Sequence, residues 1–201
     1  LSPSVADLGM HSTSSEQPTT LAIALGANSP SKIGLPLQTL IAVRPKLEKT
    51  IEEWSSQDVL EPNKISKTRH KMRFRWSSLF ETDPVGGPSN QPNFLNAVVV
   101  VDGPKLFDLI PCKKSALLLL NRLLQLEVEF GRKRNNSEPQ WGPRCLDLDL
   151  LAWGALHVDT QSLILPHPRL IERDFVIVPL AEALTQGTSS PRRINTTIQW
   201  H

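Results

Sequence analysis

Apolar and polar positions follow one another along this chain in short blocks, and each block predicts an element. Leu21 to Leu25 is an unbroken apolar run of strand length, closed by the turn cluster Gly26-Ala27-Asn28-Ser29-Pro30. A helix is predicted from about Ile33 or Leu37 to Trp54, with Pro36 near its start. Pro45 should kink or split it, because proline lacks the backbone donor and its ring clashes with the preceding turn. Residues 55–71 are polar and read as a long solvated loop. It runs into an edge strand, Arg73–Glu81, where Phe74, Trp76, Ser78 and Phe80 share one face. Pro84, Gly86, Gly87, Pro88 and Pro92 then make a loop, and Phe94–Val101 is a β-rich central strand ended by Gly103 and Pro104.

A second helix is predicted from about Lys114 to Phe130, with Gly131 as its stop. Residues 132–143 form a polar loop whose length of about 12 residues is more often functional than idle. Cys145–Trp153 reads as a buried strand, and Gly154–Val158 as the turn of a hairpin. Leu170–Leu184 is helical in part, although Phe175-Val176-Ile177-Val178-Pro179 has strand-like branching. Ile194–Ile198 is a candidate last strand. The order strand, helix, strand, strand, helix, strand predicts an α+β fold. It is a ferredoxin-like split βαβ, with a mostly antiparallel sheet and helices packed on it in three layers, αβα.

Length and charge narrow the classes. A chain of 201 residues suits one domain, here residues 21–200. Residues 1–20 are rich in Ser, Thr and Pro with little to bury, and read as a disordered linker. Starting at Leu1 with linker-like ends is what a domain cut from a longer polypeptide would show. A net charge of +2 gives no global pull toward nucleic acid or membrane. No apolar run approaches the ~20 residues that span a bilayer. Residues 1–20 hold no targeting pattern, so the expected location is intracellular: cytoplasmic, or mitochondrial if a longer parent chain carries a targeting segment. The two cysteines, Cys112 and Cys145, are then expected as reduced thiols. Lys64, Lys67, Arg69, His70, Lys71, Arg73 and Arg75, interleaved with Phe74 and Trp76, could form a nucleic-acid patch. The near-neutral remainder of the chain favours a solvated loop and an edge strand instead.

The candidate chemistry centres on Asp147 and Asp149. Two apart on a strand, they share a face roughly 6.6 Å apart. Such a pair repels and resists burial, so it is a liability unless cations sit beside it. On that ground, replacing either by Asn should leave the fold intact or more stable. Oxygen ligands of this kind suit Mg²⁺, which takes one or two carboxylates together with substrate phosphates. Arg132, Arg134, Arg144, His167, Arg169 and Arg173 are cations in flanking loops, and a guanidinium is the bidentate partner of phosphate. Phe94, Asn96 and Phe175 could make a flat apolar slot with one amide for polar recognition. Ordinary core packing, turn capping and surface charge account for the same residues equally simply. Glu127, at the edge of the stripe Leu120, Leu123 and Leu124, suits a paired structural role as well as a site role.

Trp-Gly-Pro-Arg-x-x-Asp-Leu-Asp-Leu-Leu, from Trp141 to Leu151, resembles the signature of the 6-hydroxymethyl-7,8-dihydropterin pyrophosphokinases of folate synthesis. The resemblance extends with gaps from about Thr20 to about Trp200. It implies the same fold with extra elements at the C-terminal end. It also implies that the β,γ-diphosphate of ATP is transferred to the pterin hydroxymethyl group, with ATP as co-substrate. Asp147 and Asp149 would hold two Mg²⁺ ions and, with Arg132 and Arg144, carry the chemistry. Glu127, Arg132, Trp141, Arg144, His167 and Arg173 match positions on ATP. Thr82, Pro84, Val85, Phe94, Asn96 and Phe175 match positions on the pterin. Eukaryotic members are often fused to dihydropteroate synthase or dihydroneopterin aldolase.

This chain departs from the family pattern in several places. Ala27 lies within the first turn, Phe80 stands where Tyr is common, Cys145 stands where Thr is usual, and residues 55–71 are longer than a compact bacterial version needs. The alternatives are a non-catalytic module binding single-stranded nucleic acid on Arg73–Trp76, and a Mg²⁺-dependent phosphatase or nuclease using the same Asp pair.

Overall fold

The computed structural model describes residues 19–56, 71–107, 109–133 and 141–186. The linker up to residue 18, the basic residues Lys64, Lys67, Arg69 and His70, Arg134 and the expected strand Ile194–Ile198 lie outside the described residues. In chain order the elements are β1 (Leu21–Ala27), α1 (Pro36–Ser56), β2 (Arg73–Trp76), β3 (Phe80–Thr82), β4 (Phe94–Asp102), α2 (Pro104–Phe107), α3 (Lys113–Glu129), β5 (Asp147–Trp153), β6 (Val158–Asp159), β7 (Ile164–Leu165) and α4 (Asp174–Thr185).

The main sheet runs β2-β4-β1-β5, with β3 also on β4, and every pairing is antiparallel. β4 lies between β1 and β2, and β1 lies between β4 and β5, so each strand–helix–strand unit is split by one strand of the other. This is the ferredoxin-like order expected from the sequence. One face of the sheet carries the larger core: Ile23, Leu25, Ala97, Val99, Leu148 and Leu150 against Leu40, Val43, Leu47 and Ile51 of α1 and Leu119 and Leu123 of α3. The opposite face packs Ala22, Val98, Val100 and Leu151 against Val176 and Ala183 of α4. The layers are therefore helix, sheet, helix.

Four local expectations change. Pro45 lies inside α1 without dividing it, because its ring is on the exposed side while Val43 and Leu47 keep the buried stripe in register. The expected single strand Arg73–Glu81 is two short strands. Trp76 pairs with Val99 and Phe80 with Asn96, so the edge carries one extra residue. Ser77 and Ser78 absorb it: the Ser77 hydroxyl accepts from Val98 N–H, and the Ser78 N–H and hydroxyl donate to Glu182 of α4, both at 2.9 Å. The expected hairpin at Gly154–Val158 lies further on, because β6 pairs with β7 and its turn is closed around Thr160 and Leu163. The strand-like run Phe175–Pro179 is helical, its branched residues being recruited to the second face of the sheet.

β2 offers no nucleic-acid platform. Trp76 is buried, with its Nε1–H on Glu48 and Arg44 over its ring, and Arg75 is inward and paired with Asp102. Both cysteines are free thiols.

Pro45 leaves the Ile41 carbonyl without its helical partner at an exposed position. Pro45→Ala is expected to stabilise the protein by about 1–2 kcal/mol, after allowing for the freer unfolded chain. Urea denaturation measures it; a loss of stability would show that the proline is structurally required.

Candidate active site

β4, β1 and β5 lie side by side, and their register builds the site row by row. Asn96, Gly26 and Asp147 form one row across the three strands, and Val98, Ala24 and Asp149 form the next. All point to the α4 face. The middle strand contributes only Gly26 and Ala24 there, so a trough opens between the Asn96 side and the two aspartates. A Cβ on Gly26 would come within 3.0 Å of the Asn96 Oδ1, so the floor has no room for a larger residue. Neighbouring strands are about 4.8 Å apart, which puts Asn96 and Asp147 about 10 Å apart across the trough.

This trough is an open cleft of about 680 Å³, the solvent space at its mouth included. Thr82, Val85, Phe94, Asn96, Trp141, Arg144, Asp147, Asp149, Arg173 and Phe175, all expected from the sequence, line it. Asn96 is aimed by its Nδ2–H, which donates to the Thr82 hydroxyl at 2.7 Å. Arginines lie over the cleft's rings: Arg144 over Phe94, Arg173 over Phe175, and Arg169 over Trp141. Pro84 sits between two wall residues without lining the cleft itself. The wall also includes Gly26, Asp83, Gln91 and Val176, which the sequence reading did not single out. Of these, Gly26 alone carried a signal, as a glycine at the end of a strand.

Arg132 and Glu127 lie beneath the aspartates. Gly131, at φ +101°, ends α3 in a left-handed turn, with Gly131 N–H on Val128 C=O and Arg132 N–H on Glu127 C=O. The turn folds Arg132 back over its own helix. Its Nη1 donates to Glu127 Oε1 at 3.1 Å, to the Leu146 carbonyl at 2.9 Å and to Asp147 Oδ1. Glu127 is completely buried and also accepts from Leu148 N–H at 2.8 Å, between the two aspartates in sequence. In this state its carboxylate is a strut for β5 and Arg132, and no part of it faces the cleft. Arg144 Nη1 takes the other Asp147 oxygen. His167 lies beside the charge cluster; burial, Arg173 and Arg169 push its pKa down, which favours the neutral ring.

The two aspartates are not equivalent. Burial pushes the Asp147 carboxyl up, but Arg132 and Arg144 outweigh it and hold the group below its ordinary range. Asp149 has no hydrogen-bond or ion-pair partner among the described residues. Burial, then the charges of Asp147 and Glu127, push it up to about 7. An unpaired, largely buried carboxylate beside a second one fits a hard divalent cation. The described residues hold no cluster of three or more His, Cys, Asp or Glu that would enclose a metal by themselves. The protein ligands would then be these two alone, with water and phosphate oxygens completing the shell.

The profile of the 7,8-dihydro-6-hydroxymethylpterin-pyrophosphokinase (HPPK) family matches residues 22–185. This chain belongs to the HPPK family. A Bacillus subtilis 2-amino-4-hydroxy-6-hydroxymethyldihydropteridine pyrophosphokinase is 43% identical over 110 residues, 55% of this chain and 58% of that relative. A Pseudomonas aeruginosa protein of the same name is 41% identical over 106 residues, 53% of this chain and 57% of the relative. An Arabidopsis thaliana mitochondrial folate synthesis bifunctional protein is 30% identical over 203 aligned positions, which cover 98% of this chain and 32% of the plant protein. The chain thus spans less than two thirds of the length of these relatives. The HPPK match runs from β1 to the last residue of α4, and so takes in every strand and loop that lines the cleft.

The asymmetry of the pair predicts opposite stabilities for two similar variants without metal. Asp149 has a folded pKa above its unfolded value of 3.8, so its carboxyl costs nothing near pH 4. The cost grows as pH rises and is complete above about 7. Asp149→Asn is therefore expected to match wild type near pH 4 and exceed it at pH 8 by on the order of 1–3 kcal/mol. Asp147 has a lowered pKa, so its contribution is present above the unfolded value and lost as pH falls. Asp147→Asn is expected to destabilise at pH 8, because Arg132 and Arg144 lose their shared partner. Urea denaturation of both variants at the two pH values decides; equal effects would remove the asymmetry.

Proposed function

We propose that this chain transfers the β,γ-diphosphate of ATP to the hydroxymethyl group of 6-hydroxymethyl-7,8-dihydropterin and releases AMP. The observation that carries the reading is the shared trough. An amide flanked by aromatic rings and a carboxylate pair flanked by arginines open into one cavity, about 10 Å apart. A flat heterocycle with one pendant hydroxyl fits the first half, and a metal-bound triphosphate the second. Phe94 and Phe175 stack on the two faces of the ring, and Asn96, fixed by Thr82, hydrogen-bonds its edge. Asp147 and Asp149 would hold Mg²⁺, which when bound would offset the triphosphate charge and lower the pKa of the attacking hydroxyl.

In the reaction the pterin hydroxyl oxygen bonds to the β-phosphorus. The bond from that phosphorus to the α-phosphate oxygen breaks, AMP leaves, and the hydroxyl proton is lost to solvent. In this reading Arg144 and Arg173 hold the transferred group in line, and Trp141 and Arg169 close over the nucleotide. Rate enhancement then comes from positioning and charge, with no covalent enzyme intermediate. Two Arabidopsis relatives are named folate synthesis bifunctional proteins, which supports a place for this chain beside a second folate-synthesis enzyme in one polypeptide.

Incubating the protein with MgATP and the pterin alcohol is expected to yield AMP and the pterin diphosphate. ADP as the nucleotide product, or no pterin-dependent turnover, would refute the reading. Asp147→Asn and Asp149→Asn are each expected to abolish turnover; unimpaired activity of either in excess Mg²⁺ would remove that residue as a ligand.

A further inference from the structure

Asn28 stands in the turn after β1, away from the wall of the cleft, and its side chain is buried. Its Oδ1 accepts from the Arg144 backbone N–H at 2.8 Å. Its Nδ2–H group donates to the Pro92 carbonyl at 2.9 Å and to Gln91 Oε1 at 3.3 Å. Its own backbone N–H, with that of Ser29, donates to the Arg144 carbonyl at 3.0 and 3.2 Å. Both backbone polar groups of Arg144 are thus held by this one turn. The Gln91 amide extends the chain of bonds, donating to the Gly86 carbonyl at 2.9 Å and the Trp141 carbonyl at 3.2 Å.

The joined segments belong to different halves of the site. Arg144 grips Asp147 and lies over Phe94, whereas Gln91 and Pro92 lead into the strand that presents Phe94 and Asn96. Trp141, at φ +59°, holds a backbone conformation that side chains other than glycine seldom adopt. It packs its carbonyl against Gly87, where a Cβ would come within 2.3 Å. A buried primary amide has the right inventory for this junction, since one acceptor and two donors are all used.

We propose that Asn28 is a positioning residue that couples the nucleotide half of the cleft to the heterocycle half, by fixing the Arg144 backbone relative to the segment leading into β4. This rests on the reading of the cleft as an ATP and pterin site. A side chain that only closed the turn would affect stability and leave the communication between ligands untouched.

The test measures that communication. Pterin affinity is determined with and without an ATP analogue carrying a methylene between its α- and β-phosphorus, in the presence of Mg²⁺. Wild type is expected to show a coupling factor in the range of about 5–150. Asn28→Ala is expected to bring the factor close to 1 and to lower kcat by about 10²-fold, with nucleotide affinity alone nearly unchanged. Asn28→Asp keeps the acceptor for Arg144 and loses both donors, so it should retain nucleotide affinity and still lose the coupling. Gln91→Ala breaks the far end of the same chain. It is expected to reduce the factor even if the Asn28 variants fail to fold. Full coupling in folded Asn28→Ala, or in Gln91→Ala, overturns the proposal and leaves the functional reading standing. A wild type that binds neither ligand overturns both.

Discussion

Carboxylates two residues apart on one face of a largely buried strand repel one another, and a fold that keeps them must supply balancing charge from outside the strand. Here the balance is deliberately incomplete. Asp147 is clasped by Arg132 from the end of α3 and by Arg144 from the segment before β5. Asp149 receives no such partner among the described residues, and so remains the carboxyl left open to the cleft. The rest of the site follows from that choice. Arg132 reaches Asp147 because Gly131 reverses the chain, and it stays there because Glu127 is buried beneath it. Glu127 is tolerated in the core because a guanidinium and a strand N–H both donate to it.

The topology explains why this balance lies beside the aromatic side of the trough, at Phe94 and Asn96. In the split arrangement the central strand β1 has β4 on one side and β5 on the other, so residues far apart in sequence become neighbours at fixed register. Small residues on one face of β1, Ala22, Ala24 and Gly26, leave the space, while Leu21, Ile23 and Leu25 on its other face fill the core. One strand thus supplies the stiffness of the site and its volume. α4 closes the outer side, with Phe175 and Val176 of its first turn reaching the cleft.

Much of this was legible in the sequence because it depends on period and spacing. The stripe Leu40, Val43, Leu47, Ile51 and Trp54 specifies α1, and Gly131 marks the end of α3 wherever the helix packs. The shared face of Asp147 and Asp149 follows from strand geometry alone. What was not legible depends on partners distant in sequence. Pro45 reads as a break because local rules see the lost bond and not the exposed side on which the ring lies. Val176 to Val178 reads as strand because branching is local, whereas the second face of the sheet that recruits it is not. The bond between Glu127 and Leu148 and the junction at Asn28 join residues 21 and 116 positions apart, for which no short window carries a signal. The unequal aspartates depend on how two arginines, 3 and 15 positions away, fold back onto one of them. The long motif from Trp141 to Leu151 identified the family without disclosing how the cleft residues are held.

β5 carries one extra residue opposite β1, which bears on how the chain tolerates change. Ala22 pairs with Ala152 and Ile23 with Leu150, so Leu151 is passed over. Asp147, Asp149 and Leu151 point to one side and Leu148, Leu150 and Trp153 to the other, the alternation slipping by one between Leu151 and Trp153. The strand is therefore two segments of independent phase. An insertion or loss near Trp153, or a rearrangement of the small hairpin beyond it, can be taken up by widening or erasing the irregularity at Leu151. The aspartates keep their side of the sheet throughout. That joint separates the end of the strand that carries the aspartates from changes beyond Trp153.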